Sequence, residues 1–450
     1  MRPATRRALS LAPLALLLGG AMCPPQYEPI EPVKIGVLNP LTGQLGSLGP
    51  SWEDASRLAA EQVNSAGGLF DGRPLELIFL DTETNPNKAA AAAQAAKEQG
   101  AVAIVGPASS GETAATIATV NGLEIPQVSC CATSPDLTAT DDWFFRTTPN
   151  DLLQAKAVAY LAAEGRDTDV QIAPCPEAAT VYRDDSYGTA LASVFVDEYG
   201  GRSIAGTAQT GTVIADIPYD DAAADLDAMG QGATTAFMNA FTAAHDPTND
   251  NVCVLLVSFA PDGAAVIEPL KTALAAWADA NQPTLNVEFL GTDGLYDDAF
   301  PLEARGFATG VIGTAPTHAE NEAYRKFRIA HHARFGVYPG NLTSNMYDAV
   351  MLLALAITAS RSEDGEQIRD ALFEVSRGGR RFDQGNFFGE MAEALLAGED
   401  IDYVGPSGEL DFDNAGDVVG DYTLWTPAPD GQGGYAIVES DFLPATEFAQ

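Results

Sequence analysis

The sequence predicts an α/β protein of two hinged lobes, each a sandwich of helices on a parallel β-sheet. Three observations point to this class. The chain has 450 residues, and a single hydrophobic core stops growing well below that length. Short apolar runs that resemble strands alternate with helical segments, as in parallel sheets with both faces covered. The alternation starts again near residue 150, so we expect a second lobe of the same class.

The first lobe begins at residue 33 with four units of strand, loop and helix. Its strands are continuous apolar runs, which indicates that both faces are buried. We predict strands at 33–38, 75–81, 101–106 and 125–130, and helices at 51–68, 86–100, 111–122 and 134–140. Parallel pairing follows from this alternation, because each helix returns the chain to the edge from which the strand started.

The second lobe repeats the pattern from residue 151 onward. We predict helices at 151–165, 187–201 and 262–280, and strands at 179–185, 252–259 and 287–294. The intervening segment 205–250 is rich in Asp and Ala, and we expect a strand followed by a long decorated loop.

The C-terminal part returns to the first lobe. Helices at 321–336 and 345–360 have no strand between them and should pack on that lobe, and 403–425 should form a hairpin-like region. The predicted lobes are 33–149 with 318–400, and 150–317 with 401–450. Several chain crossings between two lobes make a hinge.

Residues 1–23 are predicted to be an export signal. Three Arg residues precede an apolar run at 8–18, which is too short for a membrane-spanning helix, and small residues follow. Two outcomes stay open: Cys23 becomes the acylated first residue of a lipoprotein, or cleavage follows Ala21. In both cases we expect an extracytoplasmic protein, free or tethered to the membrane.

The composition excludes several classes of partner. A formal net charge of −38 repels nucleic acid and anionic membrane surfaces. With only six Lys residues, the acidic surface suits high external salt, or simply an acidic exported protein. No Cys or His spacing matches a metal site, and nothing predicts a cofactor.

Four Cys residues remain after the signal, an even number in a compartment where disulfides persist. Three pairings are possible, and we favour Cys175 with Cys253. If the strand continues through Cys130 and Cys131, these neighbours point to opposite faces of the sheet.

Two strand-end loops are candidates for binding an anion, because ligands of open parallel sheets lie beyond the carboxyl ends of the strands. Ser110 and Thr133 lie in such loops, each expected at the start of a helix. Backbone N–H groups and hydroxyl donors there favour a carboxylate. The alternative is that both residues only cap their helices.

The second lobe offers complementary groups. Asp293 follows a strand, where its carboxylate could receive an ammonium, although a solvated turn is the alternative. Tyr187 and Phe259 lie at similar positions and would contact the apolar part of a ligand, unless they only cover the core.

Taken together, these segments resemble the leucine, isoleucine and valine binding proteins, the type I solute receptors of ABC importers. The likeness is close over 33–200 and looser over 250–350. It rests on the following motifs, in the order that the family has them: VKIGVLNPLTG, IVGPASSGETAA, IPQVSCCATSPDLT, FFRTTPND, DDSYGTA, FLGTDG and YDAV.

The resemblance implies a role for each candidate residue. Ser110, Thr133 and the backbone amide of Cys131 would hold a ligand carboxylate, and Asp293 would hold the ammonium. The aromatic walls would come from Tyr187 and Phe259. The chain departs from the pattern at Leu48, where the family often has an aromatic residue, and at 205–250 and 380–400.

We therefore expect an extracytoplasmic solute receptor, not an enzyme, that closes over an amino acid and presents it to the membrane subunits of an ABC importer. A ligand sensor of a signalling system uses the same cleft and stays an alternative. An exported hydrolase that uses Ser110 as nucleophile is a third hypothesis, but no motif positions a His base to activate that hydroxyl.

Overall fold

The computed structural model describes residues 30–317, 321–383, 385, 388–431 and 433–449. The predicted signal segment 1–23, with Cys23, lies outside the described residues. The described chain forms two α/β lobes around two large sheets, which confirms the predicted fold class. No helix in these described ranges has the length and apolar character needed to cross a bilayer.

The sheet of the first lobe has five parallel strands in the order β2-β1-β3-β4-β5. The four predicted strands are confirmed. The elements are β1 Val33–Asn39, α1 Gly49–Ser65, β2 Leu75–Asp81, α2 Pro86–Glu98, β3 Ala101–Val105, α3 Ser110–Leu123, β4 Gln127–Ser129 and β5 Phe144–Arg146. Because the strands run parallel, the loops after β1, β3 and β4 emerge at one edge of the sheet.

The helix predicted at 134–140 is wrong. Only a single 3₁₀ turn, Pro135–Leu137, forms there. The Ser134 side chain caps that turn by accepting from the Asp136 amide at 3.3 Å. The segment that follows is short and carries β-branched Thr138 and Thr140, which have low helix propensity. It leads quickly into β5.

The middle of the chain builds most of the second sheet. Its elements are α4 Asp151–Glu164, β6 Arg166–Asp167, β7 Gln171–Ile172, β8 Glu177–Arg183, α5 Gly188–Gly201, β9 Thr212–Tyr219, α6 Leu226–Ala244, β10 Asn251–Val257, α7 Ala260–Asn281, β11 Asn286–Gly291, α8 Ala299–Glu303 and β12 Val311–Pro316. Strands β9, β8, β10, β11 and β12 are neighbours and pair in parallel.

The segment 205–250 contains the predicted strand as β9, but α6, with 19 residues, replaces much of the predicted loop. Asp225 caps this helix by accepting from the Ala228 amide at 3.0 Å. Ala233, Phe237 and Phe241 follow at intervals of four residues and are buried in the core that includes α7 residues. Asp220, Asp221 and Asp225 lie in the loop and the cap before this helix, and the prediction from sequence did not detect the apolar stripe.

The C-terminal part contributes to both lobes. Its elements are α9 Glu322–Phe335, α10 Thr343–Ser360, α11 Gly365–Ser376, β13 Arg380–Phe382, α12 Phe388–Leu396, β14 Ile401–Gly405, β15 Gly408–Glu409, β16 Tyr422–Pro429, β17 Tyr435–Leu443 and α13 Ala445–Phe448. Helix α10 is buried on nearly every side and packs on α1 and α11, as predicted for the helix at 345–360. An all-round apolar helix of this kind belongs in a core.

The hairpin-like end contains two hairpins that join different parts of the fold. β14 and β15 pair near α11, whereas β16 and β17 extend the second sheet as antiparallel edge strands beyond β12. The chain crosses between these regions close to residue 420. The lobe boundaries given above stay a prediction.

Candidate functional site

All seven sequence-predicted site residues line one cavity between the lobes. Four come from the first lobe and three from the second: Leu48, Ser110, Cys131, Thr133, Tyr187, Phe259 and Asp293. The loops that carry them follow strands in both sheets, so the carboxyl edges of the two sheets face each other across the cavity.

Ser110 begins α3 but does not cap it. The cap is Ser109, whose hydroxyl accepts from the Glu112 amide at 3.3 Å, while the Ser109 amide donates to the Glu112 carboxylate at 3.2 Å. The Ser110 hydroxyl oxygen accepts from the Ser134 amide at 3.1 Å, and its own proton is left to donate. The helix-cap alternative therefore applies to Ser109 and not to Ser110.

The loop after β4 is covalently closed. The strand ends at Ser129, so Cys130 and Cys131 do not lie on opposite faces of a continued strand, and they form a disulfide with each other. The Cys131 and Ala132 amides both donate to the Ser129 hydroxyl, at 3.2 and 3.1 Å. The Cys131 amide that the resemblance assigns to a ligand thus has a partner within the loop.

Arg146, at the end of β5, holds this loop from behind. Its guanidinium donates to the Ala132 and Ser134 carbonyls at 3.1 and 2.8 Å and forms a two-pronged ion pair with Asp417 at 2.6 and 3.0 Å. Both side chains are buried. Such a pair needs further hydrogen bonds to offset desolvation, and the two carbonyls supply them.

Asp293 is the acidic wall of the cavity, directly after β11. Its buried carboxylate accepts from the Tyr187 hydroxyl at 2.8 Å. Burial raises the pKa of Asp293 to about 6. Burial, with the nearby Asp293 charge, also raises the pKa of Tyr187 well above its usual value, so the phenol stays protonated and donates.

The residue after Asp293 must be glycine. A Cβ on Gly294 would lie 2.5 Å from the Ser258 carbonyl oxygen, 3.0 Å from the Phe259 ring and 3.1 Å from the Tyr187 ring. The first of these contacts is shorter than any that real Cβ atoms make, and the other two are very tight. These two rings stack with centroids 5.6 Å apart. The motif GTDG therefore marks a place where the acid and the aromatic wall come together.

Asp151 is a buried acid close to Asp293 that the sequence did not predict, and it is not among the residues that line the cavity. It follows the helix cap Asn150 at the start of α4, is fully buried, and has neither carboxylate oxygen in a hydrogen bond within the described chain. Burial and then the Asp293 charge raise the pKa of Asp151 well above its ordinary value, while the nearby Thr133 hydroxyl lowers it. No sequence signal separates Asp151 from an ordinary first-turn acid.

The remaining lining is mostly apolar and lies in the first lobe. Leu45, Trp52 and Leu342 join Leu48 there. Asn341 also lines the cavity, and its side-chain amide donates to the Asp293 carbonyl at 3.2 Å, so this residue bridges the lobes. No His lies among the lining residues of this part of the structure, so Ser110 has no imidazole base.

Comparison with known proteins settles the family. A profile described as "Periplasmic binding protein" matches residues 32–390. The chain belongs to the periplasmic binding protein family. Members of this family bind solutes and are not enzymes, so the hydrolase alternative is withdrawn and the resemblance found in the sequence is confirmed.

Two periplasmic binding proteins among the curated relatives are informative. The chemotactic signal transduction system substrate-binding protein BasB of Halobacterium salinarum is 29% identical over 405 residues, covering 88% of this chain and 86% of its own. A leucine-, isoleucine-, valine-, threonine- and alanine-binding protein of Pseudomonas aeruginosa is 23% identical over 360 residues, covering 79% and 86%.

Solved periplasmic binding proteins share the fold. The leucine binding protein LivK of Thermotoga maritima superimposes with a TM-score of 0.70 at 18% identity, covering 92% of this chain and 99% of its own. LivJ of Streptococcus pneumoniae, in complex with isoleucine, gives 0.67 at 21% identity, covering 91% and 100%. These identities support the fold alone.

Proposed function

We propose that this protein is an extracytoplasmic receptor that holds a free amino acid between its lobes by the two charged ends. One observation carries the proposal: hydroxyl donors on one lobe and a buried acid on the other face a single cavity, namely Ser110 and Thr133 opposite Asp293. A zwitterion is the ligand class whose anionic and cationic ends match that arrangement.

The carboxylate end of the ligand would meet the first lobe. Ser110 has a hydroxyl proton to donate, and it lies at the first turn of α3, where the helix dipole favours an anion. Thr133 contributes a second hydroxyl. The Cys131 amide would join them by sharing its proton between Ser129 and the ligand.

The ammonium end would meet Asp293, with Asp151 behind it. Two buried carboxylates without a cation between them cannot both ionise easily, which is why burial and mutual repulsion raise the pKa of Asp151. An ammonium placed here compensates that charge. Asp151 would add negative potential behind Asp293 without contacting the ligand, because it does not line the cavity.

The side chain of the ligand would be aliphatic. The cavity walls near both charged ends are Leu45, Leu48, Trp52, Leu342 and Phe259, and none of these carries a charge. Leu48 stands where the family that the sequence resembles often has a bulkier aromatic residue, and it would leave room for a branched chain. The names of the relatives, which include leucine, isoleucine and valine binding proteins, agree with this choice.

The membrane partner would recognise the closed form, because a ligand that bridges both lobes stabilises that form in proportion to its preference for it. We propose the membrane subunits of an ABC importer as this partner. A signalling receptor is a second candidate, favoured by the similarity to a chemotactic signal transduction protein. Loss of leucine uptake in a deletion strain supports import, whereas loss of attraction to leucine with intact uptake supports sensing.

Thermal unfolding against a panel of amino acids tests the proposal. L-leucine, L-isoleucine and L-valine should raise the melting temperature with concentration, because a ligand at 100 times its Kd stabilises the native state by about 2.7 kcal/mol. L-glutamate and L-lysine should not. A protein that responds to no amino acid would overturn the proposal.

A further inference from the structure

The loop between β1 and α1, residues 40–48, reaches across the cleft to the second lobe. The Gln44 side-chain amide donates to the Asp221 carbonyl at 3.1 Å, and its carbonyl oxygen accepts from the Arg183 guanidinium at 3.0 Å. Both partners belong to the second lobe, at the carboxyl ends of β8 and β9. The Gln44 side chain therefore forms two hydrogen bonds between the lobes.

Arg183 is held rigidly for this contact. Its guanidinium pairs with Asp185 at 2.6 Å and with Asp262 at 3.0 Å, and it lies over the Phe259 ring at 3.8 Å. Arg183 is almost fully buried. A donor fixed in this way loses little side-chain entropy when it meets Gln44. Because Phe259 lines the cavity, Arg183 touches both the ligand wall and the closing loop.

Ser47 and Asp297 form a second hydrogen bond between the lobes, and Asp297 lies four residues after Asp293. The Ser47 hydroxyl donates to the Asp297 carboxylate of the second lobe. The other oxygen of Asp297 accepts from the Ala299 amide at 2.9 Å, within its own lobe. Asp297 is buried, so the oxygen that faces the first lobe depends on Ser47 when the cleft is closed.

Residues of this loop contact two different parts of the molecule. Leu45 and Leu48 line the cavity, whereas Gln44 and Ser47 do not and point to the second lobe instead. We propose that Gln44 and Ser47 form a latch that sets ligand affinity without touching the ligand. These bonds join the two lobes and would break when the lobes separate, so removing them should lower the closed population and raise the apparent Kd. This inference rests on the proposed function.

Gln44→Ala, with L-leucine as the probe, tests the latch. Calorimetry should give a Kd about 10-fold higher than that of the parent, because one lost bond is to a charged donor. The melting temperature without ligand should stay unchanged. Gln44→Glu keeps the acceptor for Arg183 and should recover part of the affinity. Gln94→Ala is the matched control, since the side chain of Gln94 donates to Glu98 on the exposed surface of α2 and does not contact the second lobe among the described residues.

Ser47→Ala should have a smaller effect, a Kd about 3-fold higher, because it removes one hydrogen bond between the lobes whereas Gln44→Ala removes two. Ser65→Ala is its control, since the Ser65 hydroxyl bonds the Glu61 carbonyl within α1. Small-angle X-ray scattering should show that the Gln44→Ala protein needs more L-leucine than the parent to become compact.

The outcomes separate the latch from the proposed function. A parent protein that binds L-leucine, with Gln44→Ala binding equally well, overturns the latch and leaves the receptor function standing. A parent that binds no amino acid overturns the receptor function. The latch falls with it, because a latch that sets the affinity for an amino acid needs a receptor that binds one.

Discussion

The two sides of the cleft are built in different ways. The side on the first lobe is neutral: its donors are hydroxyls and amides on a loop fixed by the Cys130–Cys131 disulfide and by Arg146. The side on the second lobe is a buried acid, Asp293, held by Tyr187. Ligand binding by the first side should therefore depend on the order of its loop. Ligand binding by the second side should depend on the ionisation of Asp293.

The largest expected effect comes from removing the support of the first side. Arg146→Ala leaves Asp417 buried and unpaired, so the free energy of unfolding should fall by about 3–5 kcal/mol. Urea denaturation measures this change, and L-leucine should no longer stabilise the variant. Arg334→Ala, which removes an exposed pair with Glu61, should leave the urea midpoint nearly unchanged. Equal midpoints for the Arg146→Ala variant and the parent would contradict this account.

The second disulfide should affect stability and not binding. Cys175 and Cys253 pair as predicted from the sequence and close a loop with a separation of 78 residues. Replacing both by Ser should lower the free energy of unfolding by about 4 kcal/mol, since the unfolded chain regains loop entropy. Calorimetric unfolding checks this, and the Kd for L-leucine should stay within twofold. A lost affinity would mean that the distant disulfide shapes the cleft.

Acid should weaken binding through the second side alone. The ligand ammonium needs an ionised Asp293, and burial raises the pKa of this group to about 6. As pH falls through that value the carboxylate becomes neutral, so the affinity for L-leucine should fall about tenfold between about pH 7 and about pH 5. Asp293→Asn should bind weakly at both values. A parent protein with a flat profile would exclude Asp293 as the ammonium site.

The vicinal disulfide should give the smallest effect. Replacing Cys130 and Cys131 by Ser releases a loop closed between adjacent residues, so the unfolding temperature should hardly change. The Kd for L-leucine should rise a few fold, because the loop donors are less fixed. The matched pair of double variants thus separates loop order from global stability. An unchanged Kd would leave Arg146 as the sole support of the loop.

The sequence predicted the parts of the site that follow strands. Ser110, Thr133 and Asp293 could be found because parallel strands end at one edge, and loops at that edge form the mouth of the fold. The alternation of apolar runs also predicted both sheets and the buried helix α10. These features depend on local patterns that repeat along the chain.

What the sequence could not predict depends on long-range contacts. Arg146 and Asp417 are separated by 271 residues, and Gln44 and Arg183 by 139. Asp151 resembles any acid in a first helical turn until α4 docks and buries it. A short turn at 135–137 replaced the predicted helix, in a loop whose Ala132 and Ser134 carbonyls are held by Arg146 of β5.

The proposed function has Asp293 bind the ammonium group of the ligand while the first lobe binds its carboxylate. Calorimetric titration of L-leucine and of 4-methylpentanoate, which lacks the ammonium, tests it in the parent, in Asp293→Asn and in Asp298→Asn. Asp298 is the control, because its carboxylate accepts from the Ile437 amide and does not line the cavity. The parent should prefer L-leucine by about 100-fold, and Asp293→Asn should lose at least about tenfold of that preference while Asp298→Asn keeps it. An Asp293→Asn protein that retains the full preference for L-leucine would rule out Asp293 as the group that binds the ammonium.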